Sequence, residues 1–330
     1  MPASQKPALS PATYRKDVKR IPTRFGYGDG VIEAGRKNEN VVVLCCDLTE
    51  STRSFGFKEA YPERFIQMGV AEQSMAAIAG GLALEGKIPF ISSYAAFSPG
   101  RNWEQIRLCA AIQNQPVKIM GAHAGVSVGP DGATHQMLED IALMRVLPNM
   151  TVLSPCDYLE AKRAVEACVA IRGPVYIRFG RSATPSFTTA KTPFKIGRAE
   201  TFKSGTDVAI IATGPLVHEA LLAAKALEEK KIHAMVINCH TIKPLDHETI
   251  IAAAKTCGAV VTVEEAQAAG GLGGAVAECL ARYQPTPMRM IGMQDCFGTS
   301  GDPDQLIKAF HLDHTEIIKQ VLSVLTMKVS

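Results

Sequence analysis

VVVLCC at Val41–Cys46, AEQSMAAIAGGLAL at Ala71–Leu84 and IPFIS at Ile88–Ser92 follow one another in the first third of this chain. The outer two are apolar runs of strand length, and the middle one carries apolar residues at helical spacing. Two buried strands joined through a helix lie parallel, because the crossover brings the chain back to the edge it left. The alternation continues outward. Strand-type runs recur at Val117–Met120, Thr151–Leu153, Val175–Ile177, Val208–Ala212, Ala234–Ile237, Ala259–Val263 and Pro287–Ile291. Helical spacing fills the stretches between them, at Trp103–Ile112, Leu159–Ala170, His218–Glu229, Ile250–Lys255 and Ala275–Tyr283. The predicted class is α/β, with parallel sheets covered by helices on both faces.

Around residues 182 to 206 the alternation breaks into a stretch rich in Ser, Thr, Pro and Lys, and a strand restarts at Asp207. Two doubly wound domains are therefore expected, residues 21–190 and 191–330, after a polar N-terminal arm at 1–20 that holds Pro2, Pro7 and Pro11. Asp313–Leu325 reads as a closing amphipathic helix. A chain of 330 residues is long enough for two cores. The balance of 35 basic against 32 acidic residues is too even and too dispersed for a nucleic-acid footprint. The longest apolar run, Met75–Leu84, is far short of a membrane span, and Met1–Arg20 has no apolar core of signal-peptide length. The nine cysteines include no CxxC and no pair at zinc spacing, so buried free thiols in a reducing cytoplasm are expected.

Four constellations could carry chemistry. Gly69-Val70-Ala71-Glu72-Gln73 puts a carboxylate at the mouth of an almost wholly apolar helix. Its plain reading is an acid satisfying free helix N–H groups. Its functional reading is a partly desolvated carboxylate that shares a proton with a heterocyclic nitrogen. Tyr94 and Phe97, three apart at a strand exit and followed by Arg101, suit either core packing or ligand stacking. His123, Asp131 and His135 sit in a glycine-rich loop after the strand Val117–Met120, a composition suited to active-site loops, and their spacings match no common metal motif. Arg24 at a helix start, with Arg178 and Arg181 at a strand exit, could grip phosphate or stand solvated on the surface. Two glycine motifs are discounted. Gly28-Asp29-Gly30 imitates a Mg-diphosphate signature without the later asparagine, and Gly270–Gly274 opens a helix that could hold an anion but suits close packing better.

In order and spacing, over roughly residues 20 to 325, these pieces resemble the C-terminal half of transketolase: a pyrimidine-binding domain followed by the smaller C-terminal domain. The eight-residue step from His123 to Asp131 and the further four to His135 agree with that family's loop. The resemblance implies thiamine diphosphate as cofactor, with Glu72 on N1′ of the aminopyrimidine, favouring the imino tautomer that removes the C2 proton. It implies Glu72, His123 and His135 as catalytic residues, Phe97 with Tyr94 nearby against the pyrimidine, and Asp47 near the thiazolium and dimer contact. Sugar hydroxyls would meet His123, Asp131 and His135. Substrate phosphate would meet Arg24, Ser51 and Arg181, with Arg101 as an extra ligand like its counterpart in deoxyxylulose-phosphate synthase. The implied reaction moves a two-carbon ketol unit from a ketose phosphate to an aldose phosphate. The family binds diphosphate and Mg2+ through GDG followed by a downstream Asn, and the one GDG here, at Gly28-Asp29-Gly30, has no such Asn after it. An N-terminal-half partner subunit carrying the Mg2+ ligands is therefore expected, in an assembly with two copies of each chain and with no nucleic acid or membrane. The rival readings are the beta subunit of a 2-oxoacid dehydrogenase, whose family lacks the His123–His135 loop pattern, a deoxyxylulose-phosphate-synthase fragment, and a non-catalytic assembly subunit.

Overall fold

The structure, a computed structural model, describes residues 8–328; the prolines at positions 2 and 7 lie outside the described residues. All nine strand-type runs form strands, distributed over two sheets. The first has seven strands in the order Thr241–Lys243, Thr151–Leu153, Val175–Arg178, Lys118–Ala122, Ile88–Tyr94, Val41–Cys45 and Phe65–Gln67. Every neighbouring pair is parallel except the first, which is antiparallel. The second sheet has five strands in the order Met288–Met293, Val260–Gln267, Val208–Ala212, Ala234–Asn238 and Glu200–Lys203, parallel except for the last. Arg20–Pro22 and Ala183–Pro185 form a small antiparallel pair of their own.

The edge strand Thr241–Lys243 belongs by sequence to the second half of the chain, yet it closes the first sheet against Thr151–Leu153. Ile237, Cys239, Ile242 and Ile250 accordingly share one buried cluster with Val152 and Tyr176, so the apolar core runs without a break from one sheet to the other. The Lys243 ammonium donates to the carbonyls of Arg145 and Leu147, across the same junction. Deeper in, Arg178 is buried rather than presented to a ligand. It pairs with Asp140 at 2.8 Å and donates to the Glu265 carbonyl at 2.6 Å, while the Tyr176 hydroxyl donates to Asp140 at 2.6 Å. A guanidinium so desolvated is retained because it is paired and hydrogen-bonded on several sides.

The helix Thr23–Lys37 contains Gly26, Gly28 and Gly30, a composition that argues against a helix on propensity. Packing overrides it. A Cβ at Gly26 would run into the Tyr158 carbonyl oxygen, and one at Gly30 would sit 2.9 Å from the Lys162 carbonyl oxygen, so the bare glycine face lets helix Tyr158–Cys168 lie directly against it. Gly28-Asp29-Gly30 is thus helical and no diphosphate loop. Gly271–Gly274 does meet an acid, but an internal one: Glu264 accepts from the Leu272 and Gly273 N–H groups, both at 2.8 Å, at the start of helix Leu272–Tyr283. All nine cysteines are free, with only Cys296 exposed and Cys109 half-buried. No helix among the described residues is long and apolar enough to cross a membrane.

Candidate active site

From Val41–Cys45 the chain passes to the edge strand Phe65–Gln67 on one side, then crosses to Ile88–Tyr94 on the other. The strand order therefore reverses between Val41–Cys45 and Ile88–Tyr94. In an open doubly wound sheet the crevice beyond the carboxyl ends of such a pair is where ligands bind. Cys46 and Asp47 end the first strand there, and Ser93 and Tyr94 end the second.

Glu72 opens helix Glu72–Leu84 at this point and is 1 % exposed. Its oxygens do not satisfy the helix's own N–H groups. Oε1 accepts from the Ser93 hydroxyl at 3.0 Å and Oε2 pairs with Arg101 at 2.7 Å, while Asn102 donates to the Glu72 carbonyl at 3.0 Å. Arg101, half-exposed, lies 4.7 Å over the Phe97 ring, so the structure sets it on the glutamate. Below Arg101, helix Trp103–Ile106 widens into a π-type turn over Arg107–Ile112, one departure from the regular helix expected at Trp103–Ile112.

The aromatic and histidine side chains form one cluster. Tyr94 stacks on His123 with ring centroids 3.9 Å apart and on Phe97 at 6.1 Å, and His135 presents its edge to both, at 6.0 and 5.5 Å. His123 is 1 % exposed and its Nδ1 has no hydrogen-bond partner. Burial first, then the positive charges of Arg24 and Arg181 and the nearby His135, push it down to about 3. It is a neutral imidazole with a nitrogen left unused, a group that is costly to bury unless something meets it. His135 is half-buried and its Nδ1 lies 2.8 Å from the Thr134 hydroxyl.

Three arginines make the positive end of the crevice. Arg24 donates to the Ser51 carbonyl at 2.7 Å, which places Ser51 beside it, and its Nε is buried without a partner. Arg181 donates to the Val128 carbonyl at 2.9 Å. The Arg24 guanidinium is held below its ordinary value by burial, then by Arg181, with Tyr94 opposing and Arg53 adding to the repulsion. Among the described residues no carboxylate lies within 4.0 Å of Arg24, Arg53 or Arg181. Like charges gathered without a counter-ion form a pole chemically suited to an anion. Asp47 and Asp131 are exposed, and neither carboxylate is hydrogen-bonded to the cluster. No group of three His, Cys, Asp or Glu among the described residues could hold a metal ion.

Asp47, Arg53 and His123 all take left-handed backbone conformations, with φ of 56°, 68° and 56°. Such conformations cost energy in residues other than glycine and gather at functional sites. Ser93, Asn102 and Arg53 went unread in the sequence. Ser92-Ser93 at a strand exit was the only signal for the first, and Arg53 gave none, because its role depends on where a loop folds back.

A buried carboxylate, an aromatic–histidine stack and an arginine pole thus meet at the switch point of a parallel sheet in an α/β protein. Residues 19–186 match the pyrimidine-binding domain of transketolase and residues 197–317 the transketolase C-terminal domain. The chain is 45% identical over 302 residues to a provisionally named transketolase C-terminal section from Methanocaldococcus jannaschii, covering 91% of this chain and 95% of that one. It is 40% identical to the 6-deoxy-6-sulfo-D-fructose transketolase subunit SqwH of Clostridium sp. (strain MSTE9), covering 92% of this chain and 95% of that one. A split-gene transketolase solved as an inactive beta4 tetramer superposes with a TM-score of 0.88 at 43% identity, covering 94% of this chain and 100% of that one. The chain belongs to the transketolase family.

Proposed function

We propose that this chain is the C-terminal-half subunit of a split transketolase, moving a two-carbon ketol unit between sugar phosphates together with an N-terminal-half partner. The observation that carries the reading is Glu72, buried at the switch point with its oxygens turned to Ser93 and Arg101 instead of its own helix. Family membership implies thiamine diphosphate, which supplies the carbanion chemistry when bound. The residues present fit its pyrimidine end: an acid, Glu72, and the flanking rings of Tyr94 and Phe97. They do not fit its diphosphate end, since the only GDG is folded into a packed helix. We therefore assign the diphosphate and Mg2+ ligands to the partner.

In this reading Glu72 holds a proton for a ring nitrogen of the cofactor, and Ser93 fixes the rotamer that aims it. His123 and His135 bind sugar hydroxyls as neutral or singly engaged imidazoles, with Asp131 reaching them from its exposed loop. Arg24, Ser51 and Arg181 take the terminal phosphate. Helix Glu72–Leu84 leaves Ser74, Ala77, Ile78, Gly81 and Leu84 exposed, and Val70 before it is 73 % exposed. Such an apolar face supports assembly with further chains in a two-plus-two complex. The related chain that is inactive as a beta4 tetramer supports a need for the partner. Residues 21–190 and 191–330 are read as the two functional domains, operating in the cytoplasm.

Reconstitution tests the reading. The chain alone is expected to show neither Mg-dependent binding of thiamine diphosphate nor ketol transfer, and mixing with the N-terminal-half chain is expected to restore both. Turnover by the pure isolated chain would overturn it.

A further inference from the structure

Relatives differ in the anion their sugars carry: one is named for a sulfonated fructose, another is an apulose-4-phosphate transketolase subunit. A sulfonate is a monoanion at every working pH, whereas a phosphate monoester carries close to two charges above its second pKa near 6. The charge built into the arginine pole therefore bears on which substrate class this chain serves.

Arg53 lies on the loop after strand Val41–Cys45. Its guanidinium carbon sits 4.1 Å over the Phe25 ring, and the Arg24 guanidinium carbon is 5.9 Å from the centroid of the same ring. One aromatic side chain thus holds two cations close together. The loop is not free to carry Arg53 elsewhere. Thr52 donates twice to the Leu48 carbonyl, through its N–H at 2.8 Å and its hydroxyl at 2.9 Å, and the Arg53 N–H donates to Glu50 at 3.1 Å. The backbone at Arg53 is left-handed, with φ 68°, and rests on helix Thr23–Lys37 where Gly28 has no side chain. A Cβ at Gly28 would come within 2.9 Å of both the Arg53 Cβ and its carbonyl oxygen. The position is therefore built, and its cation has no carboxylate to neutralise it.

We propose that Arg53 completes a three-guanidinium pole with Arg24 and Arg181 that selects substrates ending in a dianionic phosphate ester over those ending in a monoanionic sulfonate. This rests on the reading that Arg24 and Arg181 hold the substrate's terminal anion. Against a dianion, three guanidinium groups leave one positive charge uncompensated; against a sulfonate they leave two, and the second remains as repulsion within the pole. Arg53 is exposed, so it acts from the rim with a strength that solvent reduces.

The test measures binding of glycerol phosphate and of the three-carbon dihydroxy sulfonate to the reconstituted assembly by calorimetry, between pH 5.5 and 7.5. Arg53→Gln should weaken the phosphate ester about tenfold at pH 7.5 and the sulfonate no more than about threefold. Arg53→Lys should keep most of the difference. The wild-type preference for phosphate should shrink as the ester dianion takes up a proton near pH 6 and becomes a monoanion, and Arg53→Gln should flatten that dependence. Equal weakening of both probes, or of neither, would overturn the proposal while leaving the family function intact. Arg181→Ala is the separate control: unchanged phosphate binding in that variant would show that the anion sits elsewhere and would overturn both readings.

Discussion

Replacing Arg181 by alanine separates the loop contact seen in the structure from the phosphate contact proposed for the same side chain. One Nη1 N–H supports the loop 123–136 by donating to the Val128 carbonyl at 2.9 Å, and among the described residues no carboxylate pairs with the guanidinium. Losing the loop bond costs about 0.5–1.5 kcal/mol whatever the substrate. Losing a charge-assisted, bidentate contact to phosphate costs roughly 1.5–3 kcal/mol more, about 10- to 150-fold, and only for donors that carry the phosphate. Steady-state kcat/KM of the assembled enzyme, with a ketose phosphate and with hydroxypyruvate as donors, gives both terms, because the loop contribution cancels in the ratio. The ketose phosphate should lose at least about tenfold more than hydroxypyruvate, and Arg181→Lys should recover part of it. Equal losses for the two donors would refute the phosphate assignment and leave Arg181 as a loop support.

Arg101 and Glu72 should be energetically coupled: a double-mutant cycle with Arg101→Met and Glu72→Gln, read by denaturant unfolding, is expected to give a coupling of about 1 kcal/mol, and no coupling would mean the 2.7 Å pair contributes nothing. His240, buried against Phe194 with its Nε2 unpartnered, is pushed down to about 3 by burial, so the unfolded chain takes up a proton below about pH 6.5 that the folded chain refuses. Its contribution to stability is complete above that pH and is lost as pH falls, by about 2 kcal/mol between pH 7.5 and 5. The unfolding free energy of wild type relative to His240→Gln should drop by that amount over the same range, and a pH-independent difference would show that the imidazole protonates within the fold.

The parallel strands were legible because each is a short apolar run bounded by polar residues, which only a fully buried strand tolerates. The strands that escaped notice, Arg20–Pro22, Phe65–Gln67, Ala183–Pro185, Glu200–Lys203 and Thr241–Lys243, have three or four residues each and carry charged, polar or proline residues where the others are apolar runs. Thr241–Lys243 also joins a sheet whose other strands all precede residue 179, which no local signal reveals. The start of helix Thr23–Lys37 was legible at Thr23-Arg24, whereas the reason its glycines stay helical lies on helix Tyr158–Cys168, more than a hundred residues away. Within the site, Glu72, Tyr94, Phe97, His123 and His135 were readable as types in order, and the fold brings them together. Arg178 was read as a candidate phosphate ligand from its charge and position, and Arg101 as one through the resemblance to deoxyxylulose-phosphate synthase. Their partners, Glu72 and Asp140, are tertiary facts, as is the place of Arg53 over Phe25.

Exchange of the cofactor C2 proton for deuterium, followed in the reconstituted two-subunit assembly with Glu72→Gln beside wild type, tests the central assignment. Glutamine keeps the shape of the side chain and its place near Ser93, so the variant should assemble and hold the cofactor, weakly. It removes the acid–base function, which contributes about 10²- to 10⁴-fold, and exchange should slow by that factor. Exchange at the wild-type rate would show that Glu72 is structural and that this chain does not supply the proton-handling group of the site.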